Sequence, residues 1–191
     1  METVVILHPL TQECAPLIAE YCNNYNIFKS TLSLPYPYTL EHAKSWIATA
    51  QENEREEKSF EFAIIESTSG ELVGAVGLSH HKENRKGELG YWIAEQHWGK
   101  GYGTQAAEAM LKFAFQEKNY HKVFARFLIN NPASGRIMQK IGMKEVGVFV
   151  DDVYKEDKFE TVQYYEILQT EWESKHRGAD REIVARLKNG T

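Results

Sequence analysis

Cysteine is scarce in this chain, and long apolar runs are absent. The two cysteines, Cys14 and Cys22, stand eight residues apart, which on a helix is about two turns and too far for a disulfide. No apolar run approaches the roughly 18 residues of a membrane-spanning helix, and the N-terminus lacks the basic and apolar regions of a signal peptide. We therefore predict free thiols, a cytoplasmic location and no membrane partner.

Long blocks of basic residues are missing as well. The 22 Lys and Arg residues are outnumbered by 27 Asp and Glu, which gives a formal net charge of −5. Because nucleic-acid-binding surfaces need clustered positive charge, nucleic acid is not expected as a direct partner. His80 and His81 have no third ligand at metal spacing, so no metal site is expected. The length of 191 residues suits one domain.

The order of the apolar patterns predicts a mixed α/β domain. Two helices come first, the second capped by Thr39, and two prolines exclude a regular helix from the aromatic loop at 34–38 between them. An antiparallel meander of three strands follows, and further helices and strands complete the chain. The predicted ranges are 60–66, 72–79 and 88–94 for the meander, 104–116 for the next helix, and 123–129, 144–150 and 159–168 for the last strands.

Glycines at positions 99, 101 and 103 separate the last meander strand from the next helix. Glycine lets the backbone come close to a ligand, and the first turn of a helix presents free N–H groups and the positive end of its dipole. Such a loop binds phosphate or pyrophosphate, and Lys100 adds positive charge nearby. The spacing alone is weak, because a plain tight turn before a helix would contain the same glycines.

Two common nucleotide-binding loops do not fit this segment. A Walker loop places its Lys directly before Ser or Thr, whereas Lys100 precedes Gly101. A dinucleotide fingerprint lies early in a βαβ unit, whereas this loop follows an antiparallel meander in the middle of the chain. The sequence therefore points to a different cofactor that contains a pyrophosphate.

Two neighbouring segments of the chain resemble the cofactor site of a known protein superfamily. Glu88-Leu89-Gly90-Tyr91-Trp92-Ile93 and Trp98-Gly99-Lys100-Gly101-Tyr102-Gly103-Thr104-Gln105-Ala106 resemble the acetyl-CoA site of the GNAT acetyltransferase superfamily. Downstream, Asn131-Pro132-Ala133-Ser134 and Met138-Gln139-Lys140-Ile141-Gly142-Met143 are similar to signatures of its RimJ/RimL-like branch, which acetylates N-terminal amines of ribosomal proteins and other amines. The resemblance spans roughly residues 4–172. Trp98 departs from the superfamily pattern, which has Gln or Arg at that position.

The resemblance implies a GNAT-like fold, in which a mixed, mostly antiparallel central sheet is split by a bulge after Ile93 and flanked by helices. Acetyl-CoA is the implied cosubstrate. Its pantetheine would bond to the backbone near Trp92, Ile93 and Ala94, and the Ile93 N–H is the expected donor to the thioester oxygen. The GNAT domain is expected over 1–172, with 173–191 as a charged tail that is helical or frayed. The pyrophosphate would meet the segment Trp98, Gly99, Lys100, Gly101, Tyr102, Gly103 and Thr104.

Acetyl transfer to an amine needs a group that takes a proton from the amine and a donor for the leaving thiolate. Glu88 is the candidate base or proton-wire member, because alternation puts it on one face of its strand with Trp92; an exposed strand-end carboxylate is the alternative. Ser134 suits the thiolate contact, and it could also be an N-cap of the next helix. Asn131 is expected to contact pantetheine, unless it is only a turn residue before Pro132.

The acceptor amine leaves fewer traces in the sequence. Tyr36, Tyr38, Trp46 and His80 are candidates for lining its pocket, and ordinary packing explains each of them equally well. Segments 28–38 and 151–160 are expected as specificity loops. The second is acidic, which fits either a cationic acceptor or a solvated surface.

Three functions stay open at this point. The leading one is N-acetyl transfer from acetyl-CoA to a primary amine, on a protein N-terminus or a small molecule, by direct attack in a ternary complex. The second is a non-catalytic CoA-binding sensor or partner-binding module on the same fold, and the third is a structural protein whose glycines only form turns. The sequence does not define the oligomeric state, and a homodimer is one option.

Overall fold

The computed structural model describes residues 4–176 of the chain. No helix among them is long and apolar enough to cross a membrane. A helical segment at 169–176 ends this range, so the first residues of the predicted tail are helical and the remainder lies outside the described residues. The main elements are β1 (Val5–Pro9), α1 (Ala15–Cys22), α2 (Tyr25–Ser30), α3 (Leu40–Arg55), β2 (Ser59–Glu66), β3 (Leu72–Ser79), β4 (Lys86–Ile93), α4 (Tyr102–Lys112), β5 (Lys122–Leu128), α5 (Pro132–Lys140), β6 (Lys144–Lys155) and β7 (Lys158–Leu168).

One open sheet of seven strands runs through the domain in the order β1-β2-β3-β4-β5-β7-β6. Its neighbours are antiparallel except β4 and β5, which are parallel and pair only over Lys86–Glu88 and Lys122–Phe124. The predicted fold class is confirmed. The split begins beyond Glu88, earlier than the position expected after Ile93. β4 keeps a continuous register with β3 up to Ile93, and the register shifts lie in the β2–β3 and β6–β7 pairs instead.

Two hydrophobic cores cover opposite faces of the sheet. One lies under α4 and α5 and includes Met110 and Leu89. The other lies under α1 and α3 and includes Ile18, Ile47 and Trp92. Since side chains alternate along a strand, β4 contributes to both cores, and the split beside it connects the two faces.

Local signals explain where the helices begin and end. Thr39 caps α3 as predicted: its hydroxyl accepts the N–H of His42, and His42 Nδ1 accepts the N–H of Thr39. Gly142 follows α5 with a φ of 89°, a conformation that favours glycine at the end of a helix. α4 begins at Tyr102, earlier than predicted, and continues into a π-helical turn at Phe113–Glu117.

The β6–β7 hairpin corrects one prediction. Segment 151–160, expected as a specificity loop, is strand on both sides of a two-residue turn at Glu156 and Asp157. Both turn residues have positive φ, 50° and 59°, the conformation that matches the twist of two paired strands. The strand was missed because β6 shifts its register between Phe149 and Val153, which interrupts the apolar alternation.

Candidate active site

A cavity of about 860 Å³ opens where β4 and β5 separate. Tyr91 and Ile93 line it and pack against the core under α4. Trp92 and Trp46 line it as well, and they belong to the opposite face, under α3. The cavity therefore reaches both faces of the sheet through the gap, so that two ligands can meet there from opposite sides.

The glycine loop bounds the α4 side of this cavity. Gly99 and Gly101 have φ values of 77° and 84°, a region that side chains other than glycine rarely adopt. The first intrahelical bond of α4 runs from the N–H of Gln105 to the carbonyl of Gly101, at 3.1 Å. The N–H groups ahead of it lie at the helix start, where they have no intrahelical acceptor; they belong to Tyr102, Gly103 and Thr104.

Gly103 and Lys100 differ from their neighbours in the loop. A Cβ at Gly103 would stand 3.0 Å from Ile137 Cδ1, so this glycine allows α4 and α5 to pack closely. Lys100 is not part of the cavity lining within the described range; its Nζ lies 3.4 Å from Nδ1 of the buried His97, which does line the cavity. The other ring nitrogen of His97 lies 3.2 Å from Glu71 Oε1.

Backbone direction in β4 decides which groups can meet pantetheine. The N–H of Ala94 donates to the Val73 carbonyl at 2.9 Å, and the Ala94 carbonyl accepts from the next turn, so neither group supports the contact predicted for Ala94. Because alternate residues of an antiparallel strand bond to opposite sides, the backbone groups of Tyr91 and Ile93 face the gap. Trp98 Nε1 donates to the Ile93 carbonyl at 2.7 Å. The Ile93 N–H, which faces the gap, is then the backbone group of this residue that can meet a ligand.

Asn131 and Ser134 form one hydrogen-bonded unit at the start of α5. Asn131 is the N-cap of this helix: its Oδ1 accepts the N–H of Ser134. Its Nδ2 donates to the Ser30 carbonyl at 2.9 Å and to Ser134 Oγ at 3.1 Å. The cap expected as an alternative for Ser134 therefore belongs to Asn131, and the Ser134 hydroxyl lines the cavity.

Tyr91 is a site residue that the sequence analysis missed. Its hydroxyl is buried and has no hydrogen-bond partner of good geometry within residues 4–176. Burial raises the pKa of Tyr91 to about 12, and the nearby Ser134 hydroxyl offsets part of that rise. A neutral, unpartnered phenol beside Ser134 can donate a proton or a hydrogen bond into the cavity.

Glu88 lines the cavity as an ion pair rather than as a free carboxylate. Arg126 Nε lies 2.7 Å from Glu88 Oε1, and both side chains are about two-thirds buried, with 35% and 27% of their surfaces exposed. Burial opposes the charge of Arg126, but the Glu88 carboxylate and the Tyr164 hydroxyl outweigh it, so the pKa of Arg126 is raised. No local sequence pattern selects Arg126, because its partner lies 38 positions away.

The four predicted acceptor residues divide into two pairs. Tyr38 and Trp46 line the cavity on the α3 side, and burial raises the pKa of Tyr38 to about 12. Tyr36 is 47% exposed and packs on Tyr25 and Phe28 of α2, outside the lining. His80 also lies outside it.

His80 instead contacts two aromatic rings of the fold. Its ring centroid lies 5.8 Å from that of Phe60 and 4.9 Å from that of Tyr120. We therefore leave Tyr36 and His80 out of the proposed acceptor site. A third residue, Glu61, lines the α3 side and was missed; the signal that could have revealed it is a charged residue inside an apolar strand.

Comparison with known proteins agrees with this geometry. A family model described as "Acetyltransferase (GNAT) domain" matches residues 5–144. The chain is 30% identical over 156 residues to an uncharacterized N-acetyltransferase, YnaD, of Bacillus subtilis (strain 168), covering 81% of this chain and 88% of that protein. It is 24% identical over 173 residues to spermidine N(1)-acetyltransferase of Vibrio cholerae, covering 90% and 97%. The solved structure of RimL, a ribosomal L7/L12 alpha-N-protein acetyltransferase in complex with coenzyme A, matches with a TM-score of 0.80 at 15% identity, covering 86% of this chain and 94% of that one.

The chain therefore belongs to the GNAT acetyltransferase family, and it is an acetyl-CoA-dependent acyltransferase. The site fits this cosubstrate on structural grounds. Open space surrounds the position of a Cβ at Gly99, and the N–H groups at the start of α4 suit a pyrophosphate. Residues 4–176 contain no group of three or more side chains that could hold a metal ion.

Proposed function

We propose that this protein transfers the acetyl group of acetyl-CoA to a primary amine by direct attack in a ternary complex. The observation that carries the proposal is the single cavity that reaches both faces of the sheet at the β4–β5 gap. Acetyl-CoA and the acceptor can then approach each other from opposite sides, with no need for an acyl-enzyme. Neither Cys14 nor Cys22 lines this cavity.

The α4 side would hold acetyl-CoA, which supplies an acetyl group activated as a thioester. The N–H groups at the start of α4 bind the pyrophosphate, and the Ile93 N–H faces the thioester oxygen. Asn131 holds the Ser134 hydroxyl in place. Ser134 and Tyr91 together can stabilise the leaving thiolate.

The α3 side would receive the acceptor. A primary amine is mostly protonated in neutral water, since an α-amino group has a pKa of about 7.7–8.0 and a lysine about 10.4. The amine must lose a proton before it attacks. Glu88, held at the gap by Arg126, is placed to join the water-linked path by which that proton leaves.

The proposed acceptor class is a primary amine on a protein N-terminus or on a small molecule. The relatives named above act, by their names, on spermidine and on ribosomal protein L7/L12, which are examples of both. The lining on the α3 side contains two carboxylates, of which Glu88 is paired with Arg126 and Glu61 has only the neutral Ser59 and Trp46 as named partners. The Glu61 carboxylate favours an acceptor that arrives as a cation.

Calorimetry and a turnover assay test this function. We expect acetyl-CoA to bind with micromolar affinity, and we expect release of free CoA thiol with at least one member of a panel of aliphatic diamines and short peptides with free N-termini. Absence of heat with both CoA and acetyl-CoA would contradict the cofactor assignment. Binding without thiol release across the panel would favour a non-catalytic CoA-binding module.

A further inference from the structure

Glu61 is a half-buried residue in the acceptor half of the cavity, and one of its carboxylate oxygens is fully enclosed. It lies near the start of β2, and it lines the cavity together with Ser59 and Trp46. Ser59 Oγ donates to Glu61 Oε1 at 3.3 Å. The other oxygen, Oε2, is buried and has no hydrogen-bond partner of good geometry within the described part of the chain. A buried polar atom without a partner is costly, so this oxygen is a candidate for binding a ligand.

Strand register places this carboxylate on the route to the gap. Glu61 lies opposite Gly77 of β3, and Gly77 lies opposite Gly90 of β4. A Cβ at Gly77 would stand 3.0 Å from Glu61 Cγ and 3.7 Å from its Cδ, so the Glu61 side chain lies over Gly77 and towards β4. Nothing stands within 4 Å of a Cβ at Gly90. The two glycines therefore leave an open floor between the carboxylate and the point where β4 and β5 separate.

The surroundings of Glu61 favour proton uptake. Burial raises the pKa of its carboxyl from the ordinary value, and the Ser59 hydroxyl and the Trp46 indole offset part of that rise. Neither of these two groups carries a charge. The charged or titratable side chains elsewhere in the cavity lining are Tyr38, Glu88, Tyr91, His97, Tyr102, Arg126, Arg136 and Lys140.

Glu61 differs in this respect from Glu88. The Glu88 carboxylate already has a cation, Arg126, at 2.7 Å. Glu61 has only the neutral Ser59 and Trp46 as named partners. An entering ammonium group therefore gains more from Glu61, because within residues 4–176 its Oε2 has no hydrogen-bond partner of good geometry and no cation is paired with it.

We propose that Glu61 binds the ammonium group of the acceptor and accepts its proton, which makes it the catalytic base of the α3 side. This role rests on the proposed function. In the first step the ammonium N–H bond breaks, its proton moves to Glu61 Oε2, and a neutral amine and a carboxylic acid result. The amine nitrogen then bonds to the acetyl carbon, the C–S bond breaks, and the second proton lost by the nitrogen goes to the CoA thiolate. Glu61 finally returns its proton to water.

The experiment compares Glu61→Gln with a matched control, Glu108→Gln, on the exposed surface of α4. Steady-state kinetics are measured over pH with the best diamine and the best peptide of the acceptor panel, while calorimetry measures acetyl-CoA binding. Glu61→Gln should lower kcat/KM for the amine about hundredfold, a typical contribution of a general base, and should leave acetyl-CoA affinity unchanged. Glu61→Asp should recover part of the activity, and Glu108→Gln should match the unmodified protein.

Two further readouts separate a catalytic role from a structural one. The acid limb of kcat/KM, which reports ionisation of Glu61, should disappear in Glu61→Gln. The same variant should melt at a higher temperature at pH 8, because it removes a buried charge. Turnover within twofold of the unmodified protein, with the acid limb intact, would overturn this inference alone. An unmodified protein that binds acetyl-CoA but acetylates no amine would overturn the proposed function, and this role with it.

Discussion

The two halves of the cavity are built in different ways. In the α4 half, the groups proposed to bind the cofactor come from two short segments, the stretch from Tyr91 to Thr104 and the start of α5, and several of them are backbone N–H groups. The α3 half consists of side chains that come from distant positions, such as Trp46, Glu61 and Arg126. A backbone site depends on glycines and helix ends, and a side-chain site depends on which residues the sheet register brings together. The cofactor half should therefore respond to backbone changes and the acceptor half to charge changes.

The largest effect is expected from Gly101→Glu. Gly101 has a φ of 84° at the start of α4, so a side chain would strain the turn, and a carboxylate there would repel the pyrophosphate. Calorimetry should detect no acetyl-CoA binding. Gly70→Glu is the matched control, because Gly70 has a φ of 71° in a turn with open space around it. Equal affinity in both variants would show that the glycine loop is only a turn.

The second effect concerns the thiolate rather than cofactor binding. Tyr91→Phe removes the enclosed phenol beside Ser134, and kcat should fall about hundredfold, at the lower end of acid–base contributions. Thermal stability should change little, because the lost hydroxyl has no hydrogen-bond partner of good geometry within residues 4–176. Tyr25→Phe, at a 49% exposed position, is the control. An unchanged kcat in Tyr91→Phe would assign the thiolate contact to Ser134 alone.

The difference between a cofactor half built from local segments and an acceptor half built from distant side chains explains what the sequence could predict. The glycines, the Asn131–Ser134 spacing and the strand before them lie close together in the chain, so a local pattern predicts the segments that form the cofactor half. Glu61 and Arg126 gain their meaning from strand pairing across the sheet, which no local pattern contains. Tyr36 illustrates the opposite case, an aromatic residue of a predicted acceptor loop that packs on α2 instead. The prediction for Tyr36 was wrong because its sequence position does not reveal the direction of its side chain.

A smaller effect is expected where the two halves meet. Trp98→Phe removes the indole N–H that donates to the Ile93 carbonyl at 2.7 Å. The net value of such a bond is about 0.5–1.5 kcal/mol, so KM for acetyl-CoA should rise about two- to tenfold while KM for the amine stays constant. Trp46→Phe is the reciprocal test on the α3 side and should change KM for the amine only. If Trp98→Phe and Trp46→Phe each changed KM for acetyl-CoA and KM for the amine equally, the two halves of the cavity would not act separately.

The smallest effect on turnover is expected at Glu66, the last residue of β2. A change there tests how a carboxylate affects stability without affecting catalysis. Glu66 accepts hydrogen bonds from the Ser69 hydroxyl and from the backbone N–H groups of Thr68 and Ser69, and these lower the pKa of its carboxyl to about 2. Because this pKa lies below the ordinary value of 4.5, the folded state binds fewer protons than the unfolded state between these values. The stability that Glu66 contributes is present above pH 4.5 and is lost as the pH falls towards 2.

Glu61 should show the reverse dependence, since a raised pKa lets the folded state bind more protons, and the cost of its charge appears as the pH rises through that pKa. Denaturant midpoints at pH 3 and pH 8 therefore distinguish the two carboxylates. Glu66→Gln should lower the midpoint at pH 8, lower it less at pH 3 and leave kcat/KM unchanged. Glu61→Gln should raise the midpoint at pH 8 and abolish most turnover. If both variants lower the midpoint at pH 8, the expected cost of ionising Glu61 in the folded protein is wrong, because a charge whose enclosed oxygen lacks a partner destabilises the fold.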